Sequence, residues 1–154
     1  MVSVGMPEPT RTHRPGSTFI AFDFGLSRIG VAVGQSITGT ASALETVRYS
    51  RTPDWTAIAR VVREWKPSGL VVGLPLGHDD GETEMSRAAR RFGAELSQRF
   101  GMPVHFCDER LTSKSAGQQF AAMRARGQSR RGDASKLDAL AAKIMLEAWM
   151  AESS

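Results

Sequence analysis

The stretch from Phe19 to Gly34, FIAFDFGLSRIGVAVG, constrains this chain more than any other. Phe19, Ile20, Ala21 and Phe22 are apolar residues that favour a β-strand, and a carboxylate, Asp23, follows inside the run. Gly25 and Ser27 suit a tight turn. Arg28 to Gly34 then returns with Ile29, Val31 and Val33 alternating, so the pattern predicts a β-hairpin of two half-buried strands. An ionised carboxylate in such a strand is costly unless a cation or several donors compensate it. Asp23 therefore either bonds its own backbone beside Gly25, as turn aspartates do, or meets a compensating charge.

The rest of the chain supplies partners for that hairpin. Thr40 to Tyr49 carries Leu44 and Val47 and predicts a third strand. Thr52-Pro53-Asp54 has the form of a helix start, with a capping Thr and Pro at the first helical position. Trp55, Ile58, Val62 and Trp65 follow at helical spacing, and Pro67 ends the helix. Gly69 to Leu74 is almost wholly apolar, as expected of a strand covered on both faces. A second helix places Met85, Ala88, Ala89, Phe92, Leu96 and Phe100 on one face, with Gly101 as its C-terminal cap. Val104 to Asp108 is a fifth strand. Thr112 to about Met123 and about Ser135 to Met150 are two more helices, the last apolar nearly all round and so expected to pack on more than one side. The order predicts an α/β fold: three antiparallel strands, then strand–helix alternation, in a five-stranded mixed sheet with helices on both faces. Residues 1–17, with three prolines and no periodicity, are expected to be a disordered tail before one domain over 18–150.

Bulk composition excludes several classes. A chain of 154 residues can bury a core without metal or disulfide staples. No apolar run reaches the ~18 residues that span a bilayer, and the single Cys107 forms no internal disulfide, so a cytoplasmic protein without membrane contact is expected. The net charge is +4, and its placement matters more than its size. Arg124, Arg126, Arg130, Arg131 and Lys136 face one acid, Asp133, within thirteen residues. Such a cluster suits a polyanion, nucleic acid above all, or else is a solvated loop with no partner.

Three acids stand at element ends that this architecture can bring together: Asp23 after the first strand, Glu109 after the fifth, and Asp138 in the expected first turn of the last helix. Hard divalent cations take oxygen ligands, and metal pairs about 3.5–4 Å apart clamp a phosphodiester for in-line attack. If the strand of 69–74 lies between the first and fifth, Asp23 and Glu109 are two strand spacings apart, about 9–10 Å. Gly73 would leave that gap clear. Each acid also has a structural alternative. Asp138 follows Ser135 in an S-x-x-D capping pattern, and Glu109 can pair with Arg110 or Lys114. Asp108 points to the other sheet face by alternation. His78 and His105 lack a spacing for a dyad, Cys107 suits a small buried residue, and the DFG triplet at Asp23 has no accompanying kinase segments.

Together AFDFGLSRIGVAVG, VVGLPLGHDDGETE, DERLTSKSA and KLDALAAKIMLE resemble the YqgF (RuvX) family over about residues 18–150. The resemblance implies an RNase H-like fold with the fourth strand between first and fifth. It implies a metal-dependent nuclease using Mg²⁺ or Mn²⁺, assigned to 5′-end processing of pre-16S ribosomal RNA and, in an older assignment, to Holliday-junction resolution. Its acidic residues fall on Asp23, Glu109 and Asp138, as catalytic and metal-holding groups. Gly25, Gly30 and the Gly73-Leu74-Pro75 motif match, whereas Gly77 stands where many relatives have Asn. The second acid follows the fifth strand instead of lying on the fourth, as it does in the resolvases. Arg28, Arg110, Lys114, Arg124, Arg126, Arg130, Arg131 and Lys136 would hold phosphates, of RNA in preference to DNA. A homodimer stays open.

Two other classes compete. Asp23-x-Gly25-x-Ser27-x-x-Gly30 also resembles the phosphate loop of actin-like ATPases, which close two such domains around a nucleotide; this chain has length for one. A non-catalytic module that binds nucleic acid or transcription machinery would keep the acids as a metal or folding site and show no turnover.

Overall fold

Alternation along the central strand decides the architecture. In β1 (Thr18–Phe24), Ile20, Phe22 and Phe24 enter one core, while Phe19 and Ala21 enter another on the opposite face. A strand buried on both sides must sit inside a sheet with cover above and below. The computed structural model describes residues 17–25, 27–75, 82–108 and 131–153, with side chains described from 137 to 152 in the last group. The other strands are β2 (Arg28–Gln35), β3 (Thr40–Arg48), β4 (Gly69–Leu74) and β5 (Val104–Asp108). Three helices accompany them: α1 (Trp55–Trp65), α2 (Glu84–Phe100) and α3 (Arg131–Ser153).

The sheet runs β3-β2-β1-β4-β5. The first three strands are antiparallel neighbours, and β4 and β5 join parallel to β1. β4 lies between β1 and β5, the order expected of the RNase H-like fold. One face carries α1 and α2, with Ile58, Val61, Val62, Phe92 and Leu96 packed on Phe22, Val72 and Leu70. Phe22 and Phe92 meet edge to face at 5.5 Å. The other face carries α3, whose Met145, Leu146, Trp149 and Met150 cover Phe19, Ala21, Val71 and Cys107. Burying each of these large side chains stabilises the fold by roughly 1.5–3 kcal/mol. Leu137, Leu140 and Ala141 of α3 are half-buried.

Local chemistry sets the helix ends. α2 begins at a reciprocal capping box between Thr83 and Ser86 and ends at Gly101 in the left-handed region. α1 is capped by Asp54, whose Oδ1 accepts from the Ala57 amide at 3.2 Å, and not by Thr52. Pro53 is accordingly not helical; it forms an isolated bridge with Tyr49. Asp is as good a cap as Thr, and Pro53 is engaged by the end of the hairpin.

α3 starts at Arg131, not at Ser135. Gly132, expected in a loop, is helical; one glycine costs a helix only about 1 kcal/mol, which packing can override. Asp138 is therefore about two turns into the helix and outside its first turn, so neither a capping box with Ser135 nor the N-terminal dipole accounts for it. Arg131 and Lys136 likewise belong to the helix. The expected tail, apart from Ser17, and the expected helix of 112–123 lie outside the described residues. Ser17 is part of the fold, its amide donating to Ser36 Oγ at 3.0 Å. Among the described residues no helix is long and apolar enough to cross a membrane.

Candidate functional site

The turn after β1 is closed by the Gly25 amide donating to the Arg28 carbonyl at 3.0 Å. A Cβ on Gly25 would lie 2.7 Å from that same oxygen, so glycine is required for the turn. This fixes where Asp23 sits relative to Arg28. Asp23 is the direct cross-strand partner of Gly30. Side chains alternate along a strand, and Phe19 and Ala21 face α3, so Asp23, two residues on, faces α3 as well.

Gly30 is where the helix comes down onto the sheet. A Cβ built there would lie 1.9 Å from the Asp138 carbonyl oxygen, 2.3 Å from its carbon and 3.0 Å from the Ala139 nitrogen. The bare α-carbon of Gly30 thus seats the Asp138 backbone beside the strand pair that carries Asp23. Two of the three expected acids are brought together on one sheet face, at the carboxyl end of β1. Asp23 is half-buried, and the Asp138 side chain is 31% exposed.

Arg28 closes one side of this arrangement. Its Nε donates to Asp138 Oδ2 at 2.6 Å, joining β2 to α3 across 110 residues of sequence. Expected as a phosphate contact, Arg28 stands in the structure as the charge partner of an acid.

The third side is set by the parallel strands. Phe22 pairs with Val72, and Gly73 with Cys107, so continuing the ladder by one residue puts Asp23, Gly73 and Cys107 in a row. Gly73 leaves the middle of that row without a side chain. Cys107 is buried against α3, as expected of a small core residue. Its neighbour Asp108 pairs with Leu74, whose side chain belongs to the opposite core, as alternation predicted. His105 packs against Trp149, the rings tilted by 37° with their centroids 5.0 Å apart. Thr83 Oγ1 donates to the Pro75 carbonyl at 3.2 Å, tying the end of the Gly73-Leu74-Pro75 motif to the start of α2.

Glu109, two residues beyond Cys107, lies outside the described residues, as do Arg110, Lys114, Arg124, Arg126 and Arg130, and the side chains of Arg131 and Lys136. Among the described residues no group of three or more His, Cys, Asp or Glu is assembled to hold a metal ion. Asp23 and Asp138 offer carboxylate oxygens, the donor type that hard divalent cations take. The glycine cradle under Asp138 brings its element against the strands without intervening bulk. That donor set fits such a cation.

One functional candidate was missed from the sequence. Arg48 of β3 is the direct cross-strand partner of Arg28. Only the register reveals it, and a bulge between Val31 and Ala32 shifts that register.

A five-stranded mixed sheet in the order β3-β2-β1-β4-β5 with helices on both faces is an RNase H-like fold, the fold of RuvC. The Thermus thermophilus RuvC solved with a Holliday junction substrate superposes with a TM-score of 0.54 at 19% identity, covering 90% of this chain and 98% of that one. A second T. thermophilus RuvC structure gives 0.52 at 16% identity, covering 88% and 95%. The RuvX family, described as Holliday junction resolvase, matches residues 17–152, and the chain belongs to it. A relative from Xanthomonas euvesicatoria pv. vesicatoria, named "Putative pre-16S rRNA nuclease", is 45% identical over 95% of this chain and 94% of its own length. One of the same name from Xanthomonas campestris pv. campestris is 45% identical over 94% of each chain.

Proposed function

We propose that the protein is a metal-dependent nuclease that hydrolyses phosphodiester bonds in processing the 5′ end of pre-16S ribosomal RNA. The observation that carries this is the seating of Asp138 on Gly30, the strand partner of Asp23, which gathers two carboxylates at the carboxyl end of β1. The names borne by relatives 45% identical over nearly the whole chain support the substrate.

Asp23, Asp138 and Glu109 would hold the metal, Mg²⁺ or Mn²⁺. When bound, such a cation supplies the Lewis acidity that activates water and steadies the leaving oxygen. The chain's own residues do the rest. Gly73 puts no side chain in the row between Asp23 and Cys107, so a phosphate would meet no side chain there, while the bare α-carbon of Gly30 gives its space to the Asp138 backbone. Arg28 offsets the charge of Asp138, which lets two carboxylates be held close together in the folded protein. Arg110, Lys114, Arg124, Arg126, Arg130, Arg131 and Lys136 would position phosphates and contribute no sequence choice.

The test is cleavage of a ribosomal RNA precursor fragment, a single-stranded RNA and a four-way DNA junction by wild type and Asp23→Asn, with Mg²⁺ or Mn²⁺. Cleavage of the precursor by wild type alone is expected. The family's description carries a second reading, junction resolution, for which a homodimer would match a two-fold substrate, and preferential cutting of the junction would establish it instead. If wild type binds these substrates and cuts none, the acids are structural and the protein is a binding module.

A further inference from the structure

Beside the acidic site lies an open cleft of about 520 Å³, lined by Ser27, Arg28, Thr46, Arg48, Tyr49 and Ser50. Its floor follows from register. Gly30 pairs with Thr46 and Arg28 with Arg48, while Ile29 and Val47 between them belong to the opposite core. Thr46, Arg28 and Arg48 therefore stand on the same sheet face as Asp23 and Asp138. Backbone bonds fix the far wall: the Tyr49 amide donates to the Ser27 carbonyl at 3.0 Å, and the Asp54 amide to the Arg48 carbonyl at 3.1 Å.

The charges in this cleft are arranged against stability. Arg28 and Arg48 are directly opposed on one face, and like charges so placed repel. Arg28 has Asp138 as its counter-charge. Arg48 is exposed and has no ion-pair partner among the described residues, although β3 also carries Glu45, which is committed to Arg60 at 2.8 Å. A guanidinium without a carboxylate, held next to a second one and ringed by hydroxyls, suits anionic oxygens.

We infer that this cleft is a subsite for a backbone phosphate of the nucleic-acid strand next to the one being cut, with Arg48 as its principal charge. The inference rests on the nuclease reading above and adds where the strand leaves the acidic site: across β2 and the edge strand β3. Arg28 links the two places, touching Asp138 on one side and lining the cleft on the other. The subsite recognises phosphate and not base, so it would hold any sequence.

The experiment is the salt dependence of binding to a single-stranded RNA oligonucleotide, measured in EDTA with the full chain. Each phosphate contact contributes about 0.7 to the slope of log K against log salt for single strands. Arg48→Gln is expected to lower the slope by about 0.7 and to weaken binding about fivefold at 0.1 M salt. Arg48→Lys should keep most of the slope. Arg60→Gln, elsewhere on the surface, should leave it unchanged. Arg48→Gln should melt no lower than wild type, because it removes a repulsion. An unchanged slope in Arg48→Gln, with wild type binding normally, would overturn the subsite and leave the nuclease reading intact. No binding by wild type even at low salt would overturn both.

Discussion

The Asp138 carbonyl rests on the α-carbon of Gly30, so close that a Cβ there would stand 1.9 Å from the oxygen. The obstacle is backbone and cannot swing aside as the end of a flexible side chain would. Gly30→Ala should force α3 away from β2, costing about 2–3 kcal/mol in urea denaturation. Because Asp138 moves with the helix while Asp23 stays on β1, cleavage should fall further than stability alone explains. A Gly30→Ala protein with native stability and full activity would show that the helix does not sit here.

A second expectation concerns where α1 ends. Lys66 adopts φ 46° and ψ 60°, the left-handed region, and its amide closes the helix on the Val62 carbonyl at 2.9 Å. Glycine takes that conformation without steric cost, and the Lys66 side chain is exposed, so little packing is lost. Lys66→Gly should stabilise the protein by about 0.5–1 kcal/mol, read as a shifted urea midpoint at constant slope. A lower midpoint would mean that the lysine stem contributes packing here.

The acid limb of the stability curve should depend on Glu82. Its carboxylate accepts from Arg90 Nε at 3.1 Å and Nη2 at 3.0 Å, and from the buried Ser86 hydroxyl at 3.0 Å. The hydrogen bond from Arg90 is the main cause that holds this carboxyl below its usual 4.5. A carboxyl lowered in the folded state adds stability that is complete above the unfolded value and disappears as pH falls through the folded one. Melting temperature against pH should therefore drop below about 4.5 in wild type and less steeply in Glu82→Gln. Parallel curves would remove Glu82 from the acid response.

How far the fold was legible depends on which physical signal each part carries. The hairpin, the buried strand 69–74 and the C-terminal cap of α2 announce themselves through alternation, apolar runs and a terminal glycine, all local in sequence. The row from Asp23 past Gly73 was legible because one topology places β4 between β1 and β5. The start of α3 was not, since Gly132 looks like a breaker and only packing against the sheet overrides it. Arg28 is expected from the sequence as a phosphate contact, but its pairing with Asp138 spans 110 residues and leaves no local trace. Arg48 was invisible for a related reason: which β3 residue opposes Arg28 depends on a bulge at Val31 and Ala32.

The Arg28–Asp138 pair leads to an expectation that needs no substrate. Nε to Oδ2 is 2.6 Å, yet the two side chains are 44% and 31% exposed, so solvent screens much of the attraction. Arg28→Gln should cost only about 0.5 kcal/mol in EDTA. The cation proposed for Asp138 would bring a second positive charge to the carboxylate that Arg28 already holds through Oδ2, so the arginine and the metal would repel each other there. Removing the arginine should tighten metal binding, and a tenfold gain in affinity adds up to about 1.4 kcal/mol of stabilisation at saturation. Thermal melts with and without Mn²⁺ would therefore show a larger increment in Arg28→Gln than in wild type. Asp138→Asn should reduce the increment in either background. Equal increments in wild type and Arg28→Gln would mean that Arg28 does not oppose the cation, and its role would be confined to the substrate phosphates.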